Sequence, residues 1–71
     1  MRYRVREPFM VIRDDPPNRF TFLTLKPGSM LRVKGDVLKS GLVDIECEGQ
    51  ILGAFMRDIL ARAELVERVT A

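Results

Sequence analysis

The side chains with the most capacity for chemistry lie in the stretch LVDIECEG, where Asp44 and Glu46 are separated by one residue and Cys47 follows at once. In an extended strand, residues two apart share a face at a spacing of about 7 Å, so the two acids form a carboxylate pair of the kind general acid–base work uses. Cys47 falls on the opposite face with Val43 and Ile45, where a thiol behaves as a small apolar group. The chain contains one cysteine and no histidine, which removes an intrachain disulfide and the usual zinc sites. A nucleophile would need Lys, Asp, Glu or Tyr as its base. No glycine spacing matches a phosphate-cradling motif. Acids alternating along a strand mostly keep a solvent face soluble, so no catalytic residue, cofactor or metal is expected.

Two other groups could bind rather than react. Arg2, Arg4 and Arg6 alternate in RYRVR and, with Arg32 and Lys34 of MLRVK, could contact phosphates at strand spacing. Against this, no exposed aromatic is interleaved with them to stack on bases, and Asp44, Glu46 and Glu48 could neutralise the row from a neighbouring strand. The second group is RDDPPNR, where Asp14, Asp15, Pro16, Pro17 and Asn18 make the clearest loop of the chain and a candidate recognition loop. Its plainer reading is a solvated connector with its acids near Arg13 and Arg19. The formal charge of +2 is uneven: the first 39 residues hold nine basic and four acidic side chains, the rest three and six.

The elements that must position these residues read mainly as strands. Tyr3 and Val5 share one face of the first and the arginines the other. Pro8 interrupts it, and FMVIR resumes as a second run. In RFTFLTL, Phe20, Phe22 and Thr24 lie on one face and Thr21, Leu23 and Leu25 on the other. Apolar material on both sides predicts a central strand or one with a face against a helix. It also marks Phe20 and Phe22 as a candidate interface. Lys26-Pro27-Gly28-Ser29 predicts a type II turn, Glu48-Gly49 a two-residue hairpin, and Gly53 a bulge or the close approach of another backbone. From Met56, apolar residues recur at Ile59, Leu60, Ala63 and Val66, which predicts an amphipathic helix over about 56–67, with Asp58 able to pair with Arg62. Val43, Ile45, Cys47, Phe55, Ile59, Leu60 and Ala63 are the expected core around this helix. Arg68–Ala71 are expected to fray.

These signals give a mainly β chain of five or six strands. Its 71 residues are too few for a full sandwich, so one domain over 1–71 is expected, a small, strongly bent antiparallel barrel with a C-terminal helix. The long acidic-proline loop, the PGS turn, the EG hairpin and the short late helix resemble, in order and length, the Src-homology-3-like small barrels of bacterial proteins. The chain lacks tryptophan and has Tyr3 as its single tyrosine, so the resemblance does not imply the aromatic groove that proline-rich ligands need. No apolar run reaches the roughly 20 residues of a membrane span, and MRYRVRE lacks the apolar core of a secretory signal. A cytoplasmic location without membrane or metal partners is the expectation. A core this small supplies only about 3–5 kcal/mol, which raises the expectation of a homo-oligomer or protein partner. The functional expectation is a non-catalytic, self-associating or adaptor-like interaction module; the alternative is nucleic-acid binding through Arg2, Arg4 and Arg6.

Overall fold

The computed structural model describes residues 1–17 and 19–67. Asn18 of the expected loop and Arg68–Ala71, the segment expected to fray, lie outside the described residues. Strands β1 (Arg2–Val5), β2 (Phe9–Asp15), β3 (Arg19–Leu25), β4 (Met30–Lys34), β5 (Leu42–Cys47), β6 (Gln50–Phe55) and β7 (Ala63–Glu67) are joined by one helix, α1 (Met56–Arg62), between β6 and β7. They form one antiparallel sheet in the order β3-β2-β6-β5-β4-β1-β7. The sheet is open, with β3 and β7 at its edges, and has seven strands where five or six were expected. The extra strand comes from the end of the expected helix.

Ala63–Glu67 leaves the helix and pairs along β1, with Val5 opposite Ala63 and Arg4 opposite Glu64. Helical spacing and strand alternation both place Ala63 inward, so the pattern alone could not separate them. The helix closes where Ala63 turns extended (φ −129°, ψ 157°) and its N–H donates to the Ile59 carbonyl. Arg62 pairs with Glu7, at 3.7 Å, rather than with Asp58.

Because side chains alternate along each strand, the register sorts the sheet into an inner and an outer face. Every strand sends at least one buried side chain into a single cluster on the inner face: Tyr3, Val5, Phe9, Val11, Leu25, Leu31, Val43, Ile45, Cys47, Leu52, Ala54 and Ala63, closed by Ile59 of α1. The cluster is continuous across the width of the sheet, from Leu25 of β3 to Ala63 of β7. Of the expected core, Phe55 is half-buried and Leu60 is 65% exposed. With the helix only seven residues long, one face of it, that of Ile59, reaches the core, and Leu60 falls beside that face.

The turns follow their residue types. Ser29 N–H donates to the Lys26 carbonyl with Gly28 at φ +93°, the type II arrangement. Glu48 and Gly49 both have positive φ, the geometry that a two-residue hairpin requires. Gly53 causes no bulge, since β5 and β6 pair without interruption from Leu42↔Phe55 to Cys47↔Gln50. It sits where β2 bridges to β6, Ile12 opposite Gly53, and a Cβ there would meet the Ile12 carbonyl oxygen at 3.8 Å, an ordinary contact, so the expected close approach of a backbone is not what holds the glycine.

Candidate interaction surface

The outer face divides into two ends. At one, charges stand opposite one another across strands: Arg32 faces Glu46, Lys34 faces Asp44 and Arg2 faces Arg32. Arg4 opposes Glu64 and donates to its carboxylate at 3.2 Å. The acids that sequence alone offered as a catalytic pair therefore each have a cation across the ladder. Arg2, Arg4, Arg32 and Lys34 do come together on this face. Arg6 does not join them: β1 ends at Val5, and Arg6 lies in a bend where its N–H donates to the Arg62 carbonyl. The Pro8 break reaches back this far, so the arginine row is two strand residues and one loop residue.

At the other end the outer face is apolar. β3 is not central and has no second strand beside it; it pairs with β2 from Phe9↔Leu25 to Asp15↔Arg19 and otherwise ends the sheet. The turn after it leads directly to β4, which is taken up between β5 and β1, so β3 is left with one neighbour. Phe20 and Phe22, on its outer side, are 68% and 62% exposed. Beside them lies a groove of about 700 Å³. Phe20, Phe22, Ile12 and Asp14 of the β2–β3 hairpin form one wall, Asp36 and Leu38 of the following loop form another, and Ile51, Gly53, Leu42 and Asp44 lie between. The Leu38 N–H donates to the Leu42 carbonyl, and Gly41 N–H returns to Leu38. These two bonds hold the loop against β5.

The expected recognition loop is shorter than RDDPPNR suggests, because β2 runs on to Asp15 and β3 begins at Arg19. Asp14 and Asp15 are therefore strand residues with opposite orientations. Asp15 is held on the inner side, accepting from Arg13 Nε at 2.8 Å and from Thr21 Oγ1 at 2.6 Å. The Thr21 hydroxyl, then Arg13, holds its carboxyl below the ordinary value of 3.8. Asp14 faces outward next to Phe20, into the groove. Pro16 and Pro17 are exposed at the tip.

Cys47 is buried in the core, and burial together with the neighbouring Glu48 pushes its thiol pKa up. It is a packing residue, not a poised nucleophile. Among the described residues no group of three or more His, Cys, Asp or Glu side chains is disposed to hold a metal ion. No helix among them is long and apolar enough to cross a membrane.

Sequence reasoning singled out Phe20, Phe22 and Asp14 as binding residues, and Asp44 and Gly53 for other reasons, but not Ile12, Ile51, Asp36 or Leu38. Ile12 carries a usable signal, since it alternates with Phe9 and Val11 of the inward row along β2. Asp36 and Leu38 carry none, because their position depends on how the loop folds back. No protein-family model, curated protein or solved structure matches this chain.

Proposed function

We propose that this chain is a non-catalytic protein-interaction module that self-associates by adding a second copy to the β3 edge. The observation that carries the reading is β3 itself. It is a seven-residue edge strand with no charged residue or proline from Phe20 to Leu25. An exposed strand edge offers unpaired N–H and C=O groups to another chain, and edges that stay single are normally short, charged or interrupted. The small core adds support, since a domain of this size gains much from a partner. The resemblance to Src-homology-3-like small barrels belongs to the same proposal at the level of architecture, supported by the small antiparallel sheet, the acidic-proline hairpin and the short late helix.

Sedimentation equilibrium from micromolar to millimolar chain tests it. The mass should rise with concentration, and Phe20→Lys with Phe22→Lys, which puts charge on the edge, should hold the chain monomeric with its far-ultraviolet spectrum unchanged. A wild-type chain that is monomeric throughout sinks self-association. A second reading, nucleic-acid contact through Arg2, Arg4, Arg32 and Lys34, draws on Arg2 standing opposite Arg32. It is the weaker because Glu46, Asp44 and Glu64 occupy the neighbouring positions, and a phosphate backbone would meet them too.

A further inference from the structure

We infer that the outer-face groove holds a peptide segment of a partner protein in which an apolar anchor is flanked by Lys or Arg. The inference rests on reading the chain as an interaction module; the groove shares Phe20 and Phe22 with β3 but offers side chains where the edge offers backbone groups.

Size and lining come first. About 700 Å³ lies within the range of about 300–1,000 Å³ typical of ligand sites, which are mostly apolar with a few placed polar groups. The floor is kept open by Gly53, and the fold does not require glycine there. Its φ is not in the left-handed region, and a Cβ would meet the Ile12 carbonyl oxygen and Leu42 Cδ2 at 3.8 Å, ordinary contact. A larger side chain would instead occupy the groove.

Charge then selects the occupant. The charged side chains lining the groove are Asp14, Asp36 and Asp44, from three different elements. Asp44 has Lys34 opposite it across the ladder, whereas Asp14 and Asp36 take part in none of the ion pairs among the described residues. A second copy seated face to face in the groove would bring three more carboxylates, and nucleic acid would bring phosphates; like charges at such distances oppose association. A cationic segment has the complementary sign. The exposed faces of Phe20 and Phe22 add a surface on which Lys or Arg heads rest favourably. The apolar anchor would sit over Gly53, between the hairpin wall and Leu38.

The test is selection of phage-displayed random peptides on the full chain, with counter-selection on Gly53→Leu, which fills the groove. Leu38→Ser, at an exposed position away from the core, serves as a second groove variant whose folding is not at stake. The expected result is a consensus of Lys or Arg around an apolar residue. A synthetic peptide of that consensus should bind at least tenfold more weakly to Gly53→Leu and several-fold more weakly to Leu38→Ser. Asp14→Asn and Asp36→Asn should each weaken it by about threefold, with the loss shrinking as salt is raised. A neutral or acidic consensus, or one retained by both groove variants, overturns the inference. So does a change in sedimentation mass on filling the groove, which would make a second copy the occupant. Monomeric wild-type chain that still selects the basic consensus removes the self-association proposal and leaves this one standing.

Discussion

The two ends of the outer face are made from paired antiparallel strands and rest on one core, yet they finish their exposed surface differently. Across β5, β4, β1 and β7 the chain answers its own charges: Glu46 with Arg32, Asp44 with Lys34, and Glu64 with Arg4. Across β3, β2 and β6 it places Phe22, Ile12 and Gly53 in one cross-strand row and leaves the aromatic end of that row in water. The edges differ in the same way. β7 carries Glu64, a charge at the edge of the kind that guards against further pairing, whereas β3 offers six consecutive uncharged residues, Phe20 to Leu25. Alternation thus decides which side chains face outward. It does not decide whether the chain completes that surface by itself.

The largest expected effect separates structural apolar residues from those left for something outside the chain. Leu31, in β4 beneath the charged end, is 1% exposed. Leu31→Ala should cost about 2–5 kcal/mol, comparable to the whole stability of about 3–5 kcal/mol expected of a domain this size, so the variant should be largely unfolded at room temperature. Phe22→Ala, at concentrations where the chain is monomeric, should change stability by no more than about 1 kcal/mol. Urea melts of the two variants give the comparison directly. If Phe22→Ala were as costly as Leu31→Ala, Phe22 would be a core residue of the monomer, and the contrast between the ends would be lost.

A smaller effect tests the charged end. Arg4 and Glu64 are each about half exposed, at 50% and 44%, so solvent screens their attraction. Arg4→Ala should cost about 0.2–1 kcal/mol, and the cost should fall as salt rises past the range where charges a few ångströms apart are shielded. A loss that stayed constant in high salt would mean that Arg4 contributes through its aliphatic stem. The charged end would then be another packed surface instead of a ladder of compensated charges.

The two ends were unequally legible in the sequence. Cys47 facing inward, the Glu48-Gly49 hairpin and the type II turn at Pro27-Gly28 follow from local chemistry, and each is where residue type alone would put it. The cross-strand charge ladder was legible as a composition of alternating acids and bases, though which base faces which acid depends on register. β3 was misplaced because apolar residues on both faces of a strand signal burial on both faces, and in this chain one face is covered and the other is not. Nothing within RFTFLTL distinguishes a central strand from an edge strand awaiting a partner. The helix was drawn too long for a related reason. Ala63 satisfies both periods, and only the free side of β1 shows that Ala63–Glu67 gains a ladder of backbone bonds by leaving the helix. Leu60, placed inward by helical spacing, ends up exposed because seven residues of helix present one narrow stripe to the core.

The smallest effect lies at the hairpin, where two adjacent aspartates have opposite surroundings. Asp14 opens into the groove, while the chain itself satisfies the charge of Asp15, through the Thr21 hydroxyl and Arg13. With its pKa held below 3.8 in the folded chain, Asp15 contributes stability that is present above the unfolded value and is lost as pH falls through the folded one. The window is therefore acidic, below about pH 4. Thr21→Val keeps the β-branched shape of the strand residue and removes the hydroxyl that is the largest cause of the shift. Its Asp15 should titrate closer to 3.8 in a carboxyl-carbon NMR titration. The stability difference from the wild type should be greatest near neutral pH and should close as the pH falls below the wild-type Asp15 pKa, since there the carboxyl is protonated in both. An unchanged Asp15 titration would show that Arg13 alone holds the carboxylate. The hairpin tip would then be set by a local ion pair within β2 and not by the β2–β3 ladder that carries Phe20 and Phe22 to the groove.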